Sequence, residues 1–287
     1  MTARPIDNEL VGLELAPLEW SWTERDLAIY ALGVGANVDE HLPYLYEQHG
    51  PRFLPGFAAT PAARFVEAQF EAVAMRPEDA LHADERVTIH RDVPVRASVT
   101  TTRKLVEVLD KGSAAVLVWD TETADADGPL FTSRGSVFVL GAGGFGGERG
   151  ARGPQAPELE GPPDLEAEVP TSRSQAALFR LSGDLNTIHI DPEVAQAAGY
   201  ERPILHGMCT YGIAGRVVGT WLEAETGAPI VGMYARMSAV VMPGDTLVTR
   251  AWRTGPASAS FETFTATGDK VLALGEVSCA EKATSLS

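Results

Sequence analysis

Residues 207–222 read Gly-Met-Cys-Thr-Tyr-Gly-Ile-Ala-Gly-Arg-Val-Val-Gly-Thr-Trp-Leu, and this stretch decides the fold. Its apolar residues recur at the three- and four-residue spacing of a helix; they are Tyr211, Ala214, Val217, Val218, Trp221 and Leu222. Gly212, Gly215 and Gly219 interrupt the pattern, and each glycine weakens a helix by about 1 kcal/mol relative to alanine. A close approach to another backbone compensates for that loss, so we expect a long helix lying tightly against a curved antiparallel sheet.

Strand-like runs separated by turn signals stand on both sides of this helix. They occupy 87–90, 97–109, 114–123 and 131–140 in the first half of the chain, and 230–240, 246–254, 258–267 and 271–280 in the second. Apolar and polar residues alternate in Phe261-Glu262-Thr263-Phe264-Thr265, as expected for partly buried antiparallel strands. The predicted fold class is therefore α+β.

The two halves of the chain are similar to each other at an offset of 149 residues. The matching pairs are Thr23/Ser172, Asp26/Gln175, Ile29/Leu178, Tyr30/Phe179, Leu32/Leu181 and Val93-Pro94/Met242-Pro243. With a two-residue slip, Leu54-Pro55-Gly56 aligns with Leu205-His206-Gly207. A hydroxyl followed three residues later by an acid or amide opens each matched segment, which is a helix-start signal. We expect one architecture made twice, a central helix wrapped by an antiparallel sheet.

A change of composition separates the halves at 141–170, where thirteen of the thirty residues are Gly or Pro. The end of this stretch is acidic, with Glu158, Glu160, Asp164, Glu166 and Glu168. The composition predicts a linker with little regular structure between domains at 1–140 and 171–287. The run Gly141-Ala142-Gly143-Gly144-Phe145-Gly146 fits a dinucleotide-binding pattern. No amphipathic helix follows it, so we interpret it as part of the linker rather than as a nicotinamide site.

Composition and charge exclude several classes of protein. The chain has 287 residues with 23 Lys and Arg against 39 Asp and Glu, and its net charge of −16 argues against a nucleic-acid or anionic-membrane binder. Two cysteines are too few for a disulfide framework or a cysteine zinc site. There is no signal-peptide core and no run of the roughly 20 apolar residues that span a membrane. Ser285-Leu286-Ser287 differs from the peroxisomal tripeptide Ser-Lys-Leu at two positions, so we expect a soluble cytoplasmic protein.

The densest polar signal places Asp184, Asn186 and His189 within six residues, between two helical segments. A carboxylate and an imidazole held together can divide a proton transfer between them. Local sequence supports helix capping equally well for such residues, and Asp191-Pro192 reads as a cap of this kind. A metal site combining Asp184, His189 and Asp191 with His206 is less favoured, because these residues follow no recognised ligand spacing.

The first half of the chain lacks the acid and the histidine. In the repeat alignment Asp184 corresponds to Gly35, and His189 corresponds to Glu40. Residues that are needed to build the fold would be expected in both copies, so their presence in one copy favours a chemical function. The first half is then expected to be a non-catalytic partner.

These motifs resemble a known family. Leu181-Ser182-Gly183-Asp184-x-Asn186-x-x-His189, followed by Pro203-x-Leu205-His206-Gly207, is similar to the type 2, R-specific enoyl-CoA hydratases within the MaoC-like dehydratases. The resemblance extends to Arg236-Met237-Ser238, to the segment from Val241 to Thr246, and to 30–36, and so it spans nearly the whole chain. Two departures are Thr187, where the family usually has proline, and Leu140, where related two-domain members tend to carry a basic residue.

The resemblance implies a double hot-dog fold and a hydro-lyase. Asp184 and His189 would hold one water and add it to a trans-2-enoyl thioester, giving the (3R)-3-hydroxyacyl product, while Asn186 would orient the water. Gly207 and His206 are expected at the thioester end of the substrate, where the free N–H groups of a helix N-terminus suit a developing enolate. Arg236 is a candidate for the phosphates of CoA, although a surface arginine fits it equally well. No cofactor and no metal are expected.

Two other functions compete with hydration. A hot-dog thioesterase would release a free thiol, and a non-catalytic acyl-CoA-binding protein would bind without turnover. For the leading function we expect an acyl-CoA substrate from fatty acid or sterol side-chain metabolism, no nucleic-acid or membrane partner, and a homodimer.

The first half of the chain is expected to accommodate the acyl chain. Pro55 stands where the second half has His206, and proline disfavours a helical conformation in the residue before it and cannot donate from its nitrogen. The first half would therefore lack a regular helix and leave a space beneath its sheet, which we expect to be bordered by Phe53 and Phe57.

Overall fold

A computed structural model describes residues 3–151, 159 and 161–281 of the chain. Its strands are β1 (Glu14–Trp22), β2 (Ala80–Ile89), β3 (Ala97–Asp110), β4 (Ala114–Asp125), β5 (Gly128–Leu140), β6 (Leu165–Pro170), β7 (Ile230–Met237), β8 (Thr246–Gly255), β9 (Ser258–Thr265) and β10 (Lys270–Cys279). Its α-helices are α1 (Glu24–Gly33), α2 (Thr60–Ala63), α3 (Val66–Ala72), α4 (Gln175–Phe179), α5 (Pro192–Ala197) and α6 (Gly207–Thr226). The fold class is α+β, as the sequence predicts. Glu158, Glu160 and Ser285 to Ser287 lie outside the described residues.

The strands form a single ten-stranded sheet in the order β1-β3-β4-β5-β2-β7-β10-β9-β8-β6. The two halves of this order correspond to each other. From one edge inward the strands are β1, β3, β4, β5 and β2, and from the other edge inward they are β6, β8, β9, β10 and β7. β2 and β7 pair antiparallel in the middle, from Asp84 opposite Arg236 to Thr88 opposite Gly232, and so join the halves into one sheet. The predicted duplication of the sheet is confirmed, but a long central helix, α6, is present only in the second half.

Two edge strands were not predicted from the sequence. β1 lies upstream of all the strand-like runs, and β6 occupies the last six residues of the range predicted as a linker without regular structure. That part of the linker prediction is wrong, because 165–170 pair with β8 and alternate between half-buried and exposed positions. The loop before β6 is therefore shorter than the composition indicates.

The glycine-rich run after β5 wraps around a carboxylate of the protein itself. Asp110, at the end of β3, accepts hydrogen bonds from the backbone N–H groups of Gly112, Gly144 and Gly146, each at 2.8 Å. These N–H donors, with Gly144 first, lower the pKa of Asp110 to about 2. A run that imitates a phosphate-binding motif thus binds an internal anion, which supports its interpretation as part of the linker.

Helix α6 packs against β7 through the glycines that interrupt its apolar pattern. A Cβ on Gly215 would overlap the side chain of Met233, while a Cβ on Gly219 would lie 3.5 Å from Cγ1 of Ile230. Met233 and Ile230 both belong to β7. The close packing of this helix on the sheet is the one expected from its sequence. Within the described residues, no helix is both long enough and apolar enough to cross a membrane.

The first half has three short pieces where the second half has α6. A 3-10 turn at Pro55–Ala59 is followed by α2 and α3, which confirms the expected loss of a regular helix. This segment crosses α6 closely, since a Cβ on Gly56 would lie 3.4 Å from Cα of Gly212. Phe53 stacks on Phe131, and the buried ring of Phe57 packs edge-on against Trp22. The expectation that Phe53 and Phe57 border an open space is wrong, because their rings fill the core instead.

Candidate active site

Asp184 is placed by a sharp turn after α4. A 3-10 turn at Arg180–Ser182 ends at Gly183, whose φ of +121° is strained for any residue with a side chain. The chain reverses there, and Asp184 enters a loop that faces the N-terminus of α6. The guanidinium carbon of Arg64, from the first half, lies 3.6 Å from the position of a Cβ on Gly183. The two halves of the molecule therefore meet at the acid.

His189 ends the 3-10 turn Thr187–His189 and offers one free nitrogen to the site. Its Nδ1 lies 2.9 Å from the carbonyl oxygen of Ile204, so Nδ1–H donates there and Nε2 keeps its lone pair. Burial lowers the pKa of His189 below its ordinary value, although the Asp184 carboxylate and the hydrogen bond to Ile204 oppose the shift. His189 is thus neutral at physiological pH and can accept a proton.

His206 lies directly behind His189. Only 1% of its surface is exposed, and its ring stacks on that of His189 with centroids 3.8 Å apart and planes inclined by 30°. Its Nε2 faces the backbone carbonyl oxygen of Asp184 at 3.3 Å. Burial, followed by the neighbouring His189, lowers the pKa of His206 to about 4. His206 is therefore a neutral ring that supports His189 and the Asp184 loop.

Gly207 is the first residue of α6, and its N–H points out of the helix end. Cys209 and Thr210 donate their N–H groups to the carbonyl of His206, whereas the N–H of Gly207 has no acceptor among the described residues. Free N–H groups and the helix dipole make such an end attractive to negative charge. A Cβ on Gly207 would lie 3.3 Å from Cγ of Met237, so the Met237 side chain packs closely against this glycine.

Two sequence-predicted residues are placed differently. The side-chain oxygen of Asn186 accepts from the N–H of Ile188 at 3.2 Å, and therefore caps the turn that carries His189. Its amide nitrogen has no partner within the described part of the chain, and is free to face a water. Arg236 neighbours Met237 on β7; because Met237 faces Gly207, strand alternation turns Arg236 to the opposite face of the sheet. The structure brings Asp184, His189, His206 and Gly207 together but leaves Arg236 apart.

The acid and the two histidines are close enough to be tested as a metal site. A carboxylate oxygen of Asp184 and one nitrogen of each ring all lie within 4.8 Å of one another. Metal ligands aim their in-plane lone pairs at one point, whereas the lone pairs of two stacked rings run nearly side by side. Asp191 is also committed elsewhere, since its carboxylate caps α5 by accepting from the N–H of Glu193 at 2.8 Å. The donor set fits proton transfer better than metal binding.

A cavity of about 80 Å³ opens beside Asp184 and extends under the first half of the sheet. Its lining from the second half includes Ser182, Asp184 and Met208. Its lining from the first half is made largely of small residues, among them Gly56, Ala59, Ala62 and Ala63, but also of His82 and Arg103. His82 and Arg103 were not identified from the sequence, which offers no local signal that strands so far from Asp184 reach the same cavity.

In the other half, an arginine stands where the acid would be. A Cβ on Gly35, the counterpart of Asp184, would lie 3.5 Å from Nη2 of Arg216. The Arg216 side chain donates from Nε to the carbonyl of Val34 at 2.9 Å, and its Nη1 lies 2.5 Å from Nε2 of the buried His41. An arginine held in this way takes the place of the acid, so the second copy has no acid–histidine pair like that of Asp184 and His189.

A half-buried acid–histidine pair at the N-terminus of the central helix of a double hot-dog defines a class of thioester-processing proteins. Comparison with known proteins gives the same result. Residues 155–273 match the MaoC like domain, and residues 20–141 match the MFE-2 hydratase 2 N-terminal domain. The chain belongs to the MaoC-like dehydratase family.

Relatives resemble the chain over nearly its full length. It is 38% identical to enoyl-CoA hydratase ChsH3 of Mycobacterium tuberculosis, over 88% of this chain and 91% of that protein. It is 37% identical to 3-hydroxyacyl-thioester dehydratase Y of the same organism, over 92% and 93%. A MaoC-like dehydratase from Phytophthora capsici superposes with a TM-score of 0.84 at 27% identity, covering 98% of this chain and 100% of that one.

Proposed function

We propose that the protein is a hydro-lyase that adds water to a trans-2-enoyl-CoA to give the (3R)-3-hydroxyacyl-CoA, or catalyses the reverse dehydration. The observation that carries this proposal is the pairing of Asp184 with His189, whose Nε2 lone pair is kept free because Nδ1 donates to Ile204. The names of the two relatives from Mycobacterium tuberculosis describe the two directions of the same reaction. Fatty acid or sterol side-chain metabolism is the setting that we propose for it.

Each group has one task in the reaction. Asp184 and His189 hold the water between them; its oxygen forms a bond to C3 of the enoyl chain, and a proton is delivered to C2, so that the elements of one water are added across the double bond. Asn186 holds the loop and orients the water through its free amide nitrogen. Negative charge develops on the thioester oxygen during attack, and the N–H of Gly207 donates to that oxygen.

We also propose roles for His206 and Arg236 in binding the substrate. His206 contributes to substrate binding indirectly, because it holds the ring of His189 and the start of α6 in place. Arg236, although it faces the outer side of the sheet, is proposed for the phosphates of CoA, which a long pantetheine arm separates from the reacting bond. Replacing Arg236 with alanine should raise KM for enoyl-CoA and leave KM for the corresponding enoyl-pantetheine unchanged.

The half made of residues 1–140 is proposed to accommodate the acyl chain, with the catalytic half at 171–287. The cavity beside Asp184 supports this assignment, because small residues of the 3-10 turn and of α2 line it. Ala63→Phe should raise KM for long enoyl chains while sparing crotonyl-CoA, which ends before it reaches that wall. An equal effect on both substrates would show that the acyl chain lies elsewhere.

The direct test of the function is a spectrophotometric hydration assay. Loss of the enoyl-thioester absorbance on addition of crotonyl-CoA, with the 3R enantiomer identified by chiral chromatography, is the expected result. Release of free CoA thiol without loss of the double bond would instead identify a thioesterase, and binding without turnover would identify an acyl-CoA-binding protein. A homodimer and a cytoplasmic location are likewise proposals; light scattering on the purified protein and fractionation of the source cell measure them.

A further inference from the structure

The cavity beside Asp184 has a charged wall that hydration of an apolar chain does not need. Arg103 of β3 lines it, although only 6% of this residue is exposed. Its guanidinium carbon lies 5.3 Å from the ring centre of Trp119, a residue of the core of the first half. Burial lowers the pKa of Arg103 to about 10, so the guanidinium is still a cation at neutral pH. Within the described part of the chain, no carboxylate lies within 4 Å of its nitrogens.

The hydrogen bonds of Arg103 leave part of its donor capacity unused. Gln69, with its amide oxygen turned toward the guanidinium, accepts from Nε at 2.5 Å and from Nη2 at 2.8 Å. Thr121 accepts from Nη1 at 2.5 Å. A guanidinium has five N–H groups, so two of them have no acceptor among the described residues. An unmade hydrogen bond on a buried cation is costly, and a group in the cavity could supply it.

A second polar pair stands on the same wall. His82 of β2 also lines the cavity, and its Nε2 lies 3.0 Å from Oε2 of Glu85, a carboxylate with 1% exposure. Burial opposes protonation of His82, but the hydrogen bond and the charge of Glu85 outweigh it and raise the pKa. Gly135 makes room for this pair, since a Cβ there would overlap the Glu85 carboxylate. The charge of a protonated His82 is balanced by Glu85, so Arg103 is the residue that offers positive charge to the cavity. The other lining residues are mostly small or apolar.

Building on the hydratase function proposed above, we propose that the preferred substrate carries a hydrogen-bond-accepting oxygen, a carboxylate or a carbonyl, on the part of the acyl chain remote from the thioester, and that Arg103 donates to it. The cavity is several times larger than the roughly 10–15 Å³ that one water-sized group needs, so it has room for a chain end together with such a group. A substrate with an apolar end would leave the two guanidinium N–H groups unpaired once water is displaced.

The experiment compares kcat/KM of the wild-type protein for matched trans-2-enoyl-CoA substrates of increasing length, ending in a methyl group, a carboxylate or a methyl ketone. At the length that reaches Arg103, the oxygenated substrate should be preferred by about 10- to 100-fold, the value of one hydrogen bond to a charged group. A preference for the carboxylate alone identifies an anion site, and equal preference for the ketone identifies a neutral acceptor site. A methyl end preferred at every length overturns the proposal.

Variants link the preference to the residue. Arg103→Met should abolish the preference while crotonyl-CoA is still hydrated, and Arg103→Lys should retain part of it. The matched control is Arg86→Met, on the outer face of β2, where Arg86 pairs with Glu276 at 3.0 Å and the preference should not change. A preference that survives in folded Arg103→Met overturns the proposal.

If Arg103→Met fails to fold, the comparison of substrates with the wild-type protein still tests the proposal. In addition, saturated acyl-CoA with a terminal carboxylate should inhibit crotonyl-CoA hydration by the wild-type protein more strongly than its methyl-ended analogue, and equal inhibition by both would also overturn the proposal. Absence of crotonyl-CoA hydration would contradict the hydratase function itself. Hydration without any preference for oxygenated chains would contradict only the role of Arg103.

Discussion

The imidazole rings of His189 and His206 are stacked, with their centroids 3.8 Å apart. Burial lowers the pKa of both rings, and the pKa of His206 falls to about 4. Two stacked imidazolium ions would repel each other, so the arrangement favours a neutral pair in which His189 keeps a lone pair for the reaction. The stack links His189, the proposed catalytic histidine, to the residue that precedes α6.

The pH dependence of hydration follows from this pair. Because the pKa of His189 in the folded protein is lowered, the neutral form persists below the ordinary histidine value of about 6.5. We expect the acidic limb of kcat/KM, where His189 becomes protonated, to be centred below pH 6.5. A pH–rate profile of crotonyl-CoA hydration measures this, and an acidic limb centred above pH 6.5 would contradict the neutral stack.

The acid and the base can be tested by substitution. Asp184→Asn keeps the size of the side chain but removes the proton acceptor, so turnover should fall by about 10²–10⁴, and His189→Ala should act similarly with acyl-CoA binding largely retained. The double variant should lose less than the sum of the two effects, because both groups act on one water. Asp191→Asn is the matched control, since asparagine caps a helix as well as aspartate does. Unchanged hydration in Asp184→Asn would contradict the mechanism.

Two glycines of α6 should respond oppositely to alanine. A Cβ on Gly212 would lie 2.5 Å from Cγ1 of the buried, β-branched Val34, so Gly212→Ala should destabilise the protein by about 1–3 kcal/mol despite its better helix propensity. A Cβ on Gly219 meets nothing closer than 3.5 Å, so Gly219→Ala should stabilise by up to about 1 kcal/mol. Urea unfolding of both variants measures the difference. Similar effects in the two would mean that the crossing with the first half is looser than described.

Asp110 should hold the glycine-rich segment after β5. Its pKa is lowered to about 2, so its contribution to stability is present above the ordinary aspartate pKa and is lost as the pH falls toward 2. Asp110→Ala should remove the acceptor of the Gly144 and Gly146 N–H groups and increase proteolysis at 141–150 at neutral pH. Hydrogen exchange of those two amides is the site-specific measurement. Protection that is equal in the variant and the wild type would show that other contacts fix the segment.

Activity should survive chelation and require no nicotinamide. Hydration of an enoyl thioester transfers no hydride, and the stacked rings of His189 and His206 do not converge on one point as metal ligands do. Hydration of crotonyl-CoA before and after exhaustive treatment with EDTA is the measurement. Loss of activity that zinc or another divalent ion restores would identify the Asp184 cluster as a metal site.

Much of the fold could be predicted from local patterns. The spacing of the apolar residues from Tyr211 to Leu222 gives α6, and the match of the halves at one offset gives the duplicated sheet. β6 cannot be predicted in this way, because its six residues lie in a Gly- and Pro-rich acidic stretch, where pairing with β8 overrides composition. An interrupted helix predicts a gap bordered by Phe53 and Phe57, but it does not predict which side chains fill that gap.

The sequence by itself determined that the chain is a repeat and that one copy alone carries an acid and a histidine. Both properties follow from the spacing of nearby residues and from the alignment of one half of the chain with the other. Only the tertiary structure decided that His189 stacks on His206, and that Arg103 and His82 reach the cavity beside Asp184. Such contacts depend on strand register and on the crossing of two halves at Gly56 and Gly212. They join residues far apart along the chain, which no short-range periodicity connects.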